Sequence, residues 1–343
     1  MSAAHPIAPP SPSRWPGLLL AVAIALLAWI LGLRYTLIGG AVFGIVLGLI
    51  VRNTLAPGAR FAPGLRFAGK QVLQWSIIAL GFGLNLAQVA HTGLTSLSVT
   101  LVTMTVAFLA AWGLGRMLRV HDKLTVLIGV GTAICGGSAI AAVMPIVKPD
   151  EHDTAFAIST IFLFNLVAVL LFPLLGHLMH LSDLGFGLWA GTAINDTSSV
   201  VAAGYSYSKA AGDFATIVKL TRATLIIPVC LVLALAVAWR EKRKTQIGDA
   251  ATAFQLSRIF PWFILWFVVA SAINTLHLVP SALHSPLKLA AQFLIVVALT
   301  AIGLSADLRK MASTGVRPIL LGLGVWAAVA ISSLAVQLAI GQL

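Results

Sequence analysis

Apolar runs about as long as a bilayer is thick dominate this chain, and only short polar stretches separate them. A helix of about 20 apolar residues crosses the roughly 30 Å hydrocarbon core, because it satisfies its backbone polar groups internally. Only 9% of the residues are charged, against about a quarter in a soluble domain. The sequence therefore predicts an all-α polytopic membrane protein. By length we count about eleven apolar segments, near 17–33, 36–52, 66–90, 95–118, 123–147, 154–175, 184–208, 214–239, 259–276, 287–306 and 316–340.

The segments form one unit, since no polar stretch between them is long enough for a soluble domain. Residues 17–343 are therefore predicted to be a single transmembrane domain. Residues 1–16 contain five prolines and predict a disordered cytoplasmic tail. The first apolar run lacks a small-residue cleavage site and is expected to remain as a helix.

The basic residues indicate topology. A net charge of +12 would suggest a nucleic-acid partner in a soluble protein, but here the basic residues lie in short loops, so no nucleic acid is expected. Placing the N-terminus inside puts sixteen loop lysines and arginines on the inner face and four on the outer face. The sequence thus predicts a cytoplasmic N-terminus and a periplasmic or extracellular C-terminus.

One phrase occurs twice, as "GTAICGGSAIAA" at 131–142 and "GTAINDTSSVVAA" at 191–203. Each copy puts glycine or polar residues in the middle of an apolar segment, where a continuous helix would lose stability. Discontinuous elements are therefore expected near 123–147 and 184–208. Ser138, and Thr197 or Ser198, are the expected N-caps of the second halves. The alternative is a pair of continuous helices with glycine-rich packing faces.

The N-terminus of a half-helix can bind an anion through free N–H groups and a partial positive charge. Two such ends meeting near the bilayer midplane would form a substrate site, as in transporters built from repeats. The predicted substrate-binding residues in the two phrases are Thr132, Cys135, Gly136, Gly137, Ser138, Asn195, Asp196, Thr197 and Ser198.

The direction of the two broken segments stays open at this stage. They are either helices that cross the membrane in the same sense or re-entrant hairpins that enter from opposite faces. The segments "GFGLNL" at 81–86 and "AIGLSA" at 301–306 are loosely similar. They would run in opposite directions through the membrane in either case, as the halves of an inverted repeat do. The predicted architecture is that of a repeat-based secondary transporter.

Three ionisable residues inside apolar segments are candidates for function. Asp196 is expected to exchange a proton or hold a cation, or to act as an N-cap carboxylate. Lys219 and Arg222 lie three residues apart and so share a helix face. Lys219 is expected either to snorkel outward or to line the site, and Arg222 to pair with Asp196 or with a substrate oxyanion. Asn165 is expected to line the site or to join helices.

No motif of an enzyme, metal centre or cofactor site is recognisable. Cys135 and Cys230 lie in apolar segments without metal-ligand spacing. No phosphate-binding loop or hydrolase motif occurs. The sequence predicts neither a cofactor nor a bound metal.

The whole chain resembles the YeiH-like family of bacterial inner-membrane proteins, described as sulfate exporters. The resemblance is carried by "GTAICGGSAIAAVMPIV", "GTAINDTSSVVAAG" and "FATIVKLTRATLIIP". It implies a location in the bacterial inner membrane and a relation to cation/proton antiporters and anion transporters with broken helices. Many members have His-Glu where this chain has Asn195 and Asp196, and Gln in place of Ser199, so the acid is kept while its surroundings differ.

Together these patterns favour a secondary transporter of a small oxyanion such as sulfate, sulfite or a sulfonate, embedded in the lipid bilayer and coupled to a proton or another ion such as sodium. The alternative is a monovalent cation/proton antiporter using Asn195 and Asp196. A membrane receptor without flux is a third hypothesis. A homodimer is compatible with the sequence.

Overall fold

A computed structural model describes residues 13–35, 39–242, 262–309 and 315–342. Within these ranges the regular structure is helical and contains no strand. Most of the predicted tail, and the basic stretch 243–261, lie outside the described residues. The helices are α1 (Trp15–Arg34), α2 (Gly39–Leu55), α3 (Ala62–Phe67), α4 (Leu73–Gly81), α5 (Leu86–Met117), α6 (Asp122–Ala133), α7 (Gly137–Val147), α8 (Glu151–Leu178), α9 (Asp183–Ala193), α10 (Thr197–Tyr207), α11 (Lys209–Thr224), α12 (Ile226–Lys242), α13 (Trp262–Thr275), α14 (Ser281–Ser305) and α15 (Val316–Ala339).

In the described ranges, six helical stretches are long and apolar enough to cross a membrane: α1, α5, α8, the stretch Lys209–Val237 that joins α11 to α12, α14 and α15. Helices α2, α7 and α13 are apolar but shorter. The prediction of a multi-pass, all-helical membrane protein is confirmed. The count of about eleven segments and the repeat architecture stay predictions.

Both predicted helix breaks are present. Helix α6 ends at Ala133 and α7 begins at Gly137, while α9 ends at Ala193 and α10 begins at Thr197. Each break therefore falls inside its copy of the doubled phrase, and the alternative of continuous helices is wrong.

The segment α6–α7 is a hairpin, because its two ends lie side by side. Lys123 Nζ, at the start of α6, donates to the carbonyl of Lys148 at the end of α7, at 2.7 Å. His121 Nδ1 lies 2.9 Å from a carboxylate oxygen of Asp153, at the start of α8. We call this segment hairpin 1, its base being the end near Lys123 and Lys148.

The segment α9–α10 folds back in the same way. The Tyr207 ring, at the end of α10, stacks on Phe186 near the start of α9, with ring centroids 3.9 Å apart. The Tyr207 hydroxyl donates to the carbonyl of Leu181, just before α9. We call this segment hairpin 2, with its base at Tyr207.

Helix α8 separates the two bases. It has 28 residues, or about 42 Å at 1.5 Å per residue, which exceeds the thickness of the hydrocarbon core. Its first turn contacts the base of hairpin 1 through Asp153, and near its last turn His177 stacks on Tyr207 of hairpin 2 at 4.2 Å. The hairpins therefore enter from opposite ends of the bundle, which decides between the two alternatives left open by the sequence.

A second group of helices, α1, α2 and α14, packs through small residues. A Cβ added to Gly48 would lie 2.5 Å from the backbone oxygen of Thr300, and one added to Gly44 would lie 2.7 Å from the Thr300 hydroxyl. An ion pair of 3.2 Å between Arg52 and Asp307 joins α2 to the residues after α14. The small residues of α2 thus serve close packing, as membrane helix interfaces require.

Candidate functional site

The tips of the two hairpins meet. A Cβ added to Gly136, in the first break, would lie 3.6 Å from the Cβ of Asp196 in the second break. Gly136 has φ 69° and ψ −131°, a conformation that is accessible essentially only to glycine. The first tip therefore depends on this glycine for its backbone path, and it lies in ordinary van der Waals range of Asp196.

Asn165 fixes the second tip to the middle of α8. It lies 14 residues after Glu151 and 13 before Leu178, the two ends of that helix. Its side-chain oxygen accepts the backbone N–H of Asp196 at 3.1 Å, and the side chain is buried. Because α8 spans between the bases of both hairpins, this bond places the meeting point near half depth.

Asp196 caps the second half of hairpin 2. Its carboxylate accepts the backbone N–H of Ser198 at 2.9 Å, and also the Ser198 hydroxyl. Thr197 is the first residue of α10. The alternative that Asp196 is an N-cap is confirmed, and the prediction of Thr197 or Ser198 as the cap is wrong, because both already lie inside the helix.

Helix α7 has no such cap. Its N-cap residue is Gly136, which offers no side-chain hydrogen bond. The prediction that Ser138 caps α7 is wrong, because the helix already begins at Gly137; Ser138 lies in its first turn and is exposed. The first N–H groups of α7 therefore have no side-chain acceptor, whereas α10 has the Asp196 carboxylate.

Lys219 joins the two breaks. Its ammonium donates to the carbonyl of Ile134 at 2.7 Å and to the carbonyl of Ile194 at 3.0 Å. The side chain is fully buried. The expectation that Lys219 snorkels outward is wrong, because the carbonyls freed at the breaks supply acceptors inside the protein.

Arg222 bonds the same two breaks one helical turn further along α11. Its Nε donates to the carbonyl of Ala133 at 2.8 Å, and its two terminal nitrogens donate to the carbonyls of Thr192 and Thr132. Like Lys219 it is fully buried. The expected ion pair with Asp196 is not among the ion pairs of the described residues.

These contacts explain the repeated letters "GTAI". The last carbonyls of a helix have no intrahelical donor and carry partial negative charge. In the first copy the carbonyls of Thr132, Ala133 and Ile134 accept from α11, and in the second copy those of Thr192 and Ile194 do so. Lys219 and Arg222 therefore satisfy the negative ends of α6 and α9 at once, a function that the residue types alone do not indicate.

Several polar atoms at the tips remain without partners. Both side-chain polar atoms of Asn195, and the hydroxyl of Thr132, are buried and have no hydrogen-bond partner among the described residues. The matching Thr192 differs, since its hydroxyl lies 2.7 Å from that of Ser333 on α15. Buried polar groups are normally paired, so the amide of Asn195 is available to a bound ligand. Cys135, at the position that matches Asn195, is a buried free thiol.

The electrostatic balance at the tips is positive. Lys219 and Arg222 contribute two basic side chains and Asp196 one carboxylate, so the basic groups outnumber the acid. Asp196 is partly exposed while the cations are sealed behind the tips. No group of acids, histidines or cysteines suited to a metal ion occurs among the described residues.

Comparison with known proteins identifies the family. The model of the family called conserved hypothetical protein 698 matches residues 16–322, which is most of the chain. The chain belongs to this family. No solved structure matches it.

Several relatives of this chain are named UPF0324 membrane proteins. One from Streptococcus pyogenes serotype M18 is 44% identical over 96% of this chain and 98% of its own length. One from Fusobacterium nucleatum is 39% identical over 95% of this chain and 98% of its own length. One from Streptococcus agalactiae serotype V is 41% identical over 95% of this chain and 97% of its own length. The YeiH-like resemblance agrees with this family, and the names state a membrane protein without a substrate.

Proposed function

We propose that the protein is a secondary active transporter of a small oxyanion, with its binding site where the hairpin tips meet. Sulfate, sulfite and sulfonates are the leading substrates. The observation that carries the proposal is the pair of fully buried cations, Lys219 and Arg222, beside an uncapped helix N-terminus.

The positive charge supports an anion rather than a cation as the substrate. Lys219 and Arg222 are bonded to the backbone of both tips, so they supply a fixed positive potential at the meeting point. The first N–H groups of α7 and the exposed hydroxyl of Ser138 supply donors. Helix N-termini favour oxyanions because they offer free N–H groups and a partial positive charge. We therefore assign the hydrogen bonds to the oxyanion to α7, while Lys219 and Arg222 attract it from a distance.

Asp196 gives the proposal a means of coupling. An oxyanion bound at the start of α7 would lie close to the Asp196 carboxylate, since the two tips are in contact. Two negative charges at this distance in a poorly solvated site repel each other. Protonation of Asp196 removes the repulsion, so the anion and a proton would bind together.

The hairpins support alternating access. They enter from opposite ends of the bundle and meet near the middle of α8, so a ligand at the tips is at similar depth from both faces. Broken helices around a central site are typical of secondary transporters. The proposed movement would expose this one site first to one face and then to the other.

A cation/proton antiporter is the second candidate. The observation in its favour is the buried amide of Asn195, whose oxygen and nitrogen both lack partners beside Asp196. An amide oxygen and a carboxylate are ligands that hard cations prefer. Lys219 and Arg222 argue against this candidate, because two buried positive charges disfavour the binding of a third.

Flux measurements test the proposal. We expect proteoliposomes containing the wild-type protein to accumulate a labelled oxyanion when a proton gradient is imposed. Asp196→Asn should lose this gradient-driven accumulation and keep anion exchange, because the amide mimics the protonated acid. The matched control is Asp122→Asn, which changes an exposed acid outside the tips and should leave both fluxes unchanged.

Other outcomes point elsewhere. Collapse of a pH gradient on adding sodium or potassium, lost in Asp196→Asn and without oxyanion flux, would replace the proposal by the antiporter. Tight oxyanion binding without counterflow in vesicles would make the protein a receptor. Gradient-driven uptake that is unchanged in Asp196→Asn would remove the coupling role from this residue.

A further inference from the structure

Two cavities adjoin at the end of the bundle that holds the base of hairpin 2. The larger has a volume of about 200 Å³ and the smaller about 40 Å³. Tyr205, Lys209 and Gln292 line both cavities, which therefore form one cleft. The cleft runs between α10 and the start of α11 on one side and α14 on the other, and we call it the α10–α14 cleft.

The larger half of the cleft is apolar. Its walls include Trp29 and Leu33 of α1, and Ile295 and Val296 of α14. Leu33 is 68% exposed on the outer surface of the helices, so this half opens toward the hydrocarbon of the bilayer. It is smaller than the roughly 300–1,000 Å³ of pockets that enclose a whole drug-sized ligand, so it has room for part of a chain.

The smaller half is basic. Lys209, Lys288 and His284 line it together with one acid, Asp213. That acid is already bonded, since Lys209 Nζ donates to one carboxylate oxygen at 2.6 Å and the Tyr205 hydroxyl donates to the other. Lys288 is exposed and has no acidic partner in the described part of the chain.

This arrangement lets Lys209 change partners at low cost. If its ammonium turns from Asp213 to a ligand, the carboxylate keeps the hydrogen bond from Tyr205 and is not left without a donor. Lys288 then supplies a second positive charge from the opposite wall. An anionic group between Lys209 and Lys288 would therefore contact both sides of the cleft.

We infer that the α10–α14 cleft binds an anionic phospholipid, with the phosphate between Lys209 and Lys288 and the beginning of one acyl chain in the apolar half. A small free oxyanion would use only the basic half, whereas a lipid fits both halves and the opening toward the bilayer. The inference does not depend on the proposed transport.

Binding would connect two parts of the structure. Lys209 begins α11 directly after hairpin 2, whereas Lys288 belongs to α14, which packs with α1 and α2. The lipid therefore bridges the hairpin-bearing helices to the second group of helices. Its headgroup stabilises their relative position at this end of the bundle.

Thermal unfolding of the delipidated full-length protein in a neutral detergent tests the inference. Phosphatidylglycerol should raise the melting temperature of the wild type. Phosphatidylcholine should not, because it has no net charge, and glycerol 1-phosphate should not, because it has no acyl chain. Lys288→Gln should lose most of the shift. The control Lys70→Gln, an exposed lysine of the segment between α3 and α4, should keep it.

Lys288→Gln is the main variant because Lys288 has no bond to lose in the described structure, and Lys209→Gln is the second. If glycerol 1-phosphate or sulfate raises the melting temperature as much as phosphatidylglycerol does, and Lys288→Gln loses this effect, the ligand is a free oxyanion and not a lipid. If both phospholipids raise the melting temperature equally, or if Lys288→Gln keeps the full increase with phosphatidylglycerol, the cleft is not an anion site.

Discussion

Replacing Arg222 by leucine is expected to prevent most of the protein from accumulating in a folded state. The guanidinium donates to three carbonyls, those of Thr132, Ala133 and Thr192. Leucine fills part of the space and donates to none of them. A buried carbonyl that loses its donor costs about 1–3 kcal/mol, and three such losses are a large fraction of the roughly 5–15 kcal/mol that stabilises a typical fold. Fluorescence-detected size-exclusion chromatography and thermal unfolding measure the effect.

The matched control is Arg34→Leu, which removes an exposed arginine at the end of α1. It should leave the melting temperature within experimental scatter. Arg222→Lys should be intermediate, because lysine keeps the charge but lacks the fork that reaches both breaks. Equal melting temperatures for Arg222→Leu and Arg34→Leu would contradict the role given to Arg222.

Gly136→Ala is expected to have the second largest effect. The φ of 69° and ψ of −131° at this residue disfavour any side chain and cost about 1–3 kcal/mol for a residue held there. Relief of that strain would move the tip away from Asp196. We therefore expect a lower melting temperature and loss of substrate flux.

The neighbouring Gly137→Ala is the control. Gly137 is helical, and a Cβ added to it would have only Phe162 nearby, at 3.9 Å. Alanine is a better helix former than glycine, so this variant should be at least as stable as the wild type. If both variants melt alike, the tip does not depend on the conformation of Gly136.

The sequence was informative about the breaks because glycine and polar residues inside apolar segments have few structural explanations. It was less informative about the caps. The helix after the first break begins two residues earlier than a Ser138 cap implies, because Gly136, with its positive φ, is the N-cap. In the second break the acid itself is the cap, a role that does not exclude titration of the same carboxylate.

The direction of the broken segments could not be predicted from charge. Both models keep the heavily basic loops on one face, and only Lys148 changes sides between them. The contacts that decide the matter join residues far apart in sequence, such as Tyr207 with Leu181. Backbone carbonyls are likewise invisible in a sequence, so the acceptors of Lys219 and Arg222 could not be read from residue types.

Two hairpins that enter from opposite faces and meet at their tips have their bases on opposite sides of the membrane, and cysteine accessibility in intact cells measures this arrangement. Cys135 and Cys230 are buried, so the wild type provides a low background for a membrane-impermeant maleimide. We predict that Lys123→Cys and Lys148→Cys, at the base of hairpin 1, react only after permeabilisation. Asp183→Cys and Ala210→Cys, at the base of hairpin 2, should react in intact cells. Labelling that places positions 123 and 148 on opposite faces would show that this segment crosses the membrane and is not a hairpin.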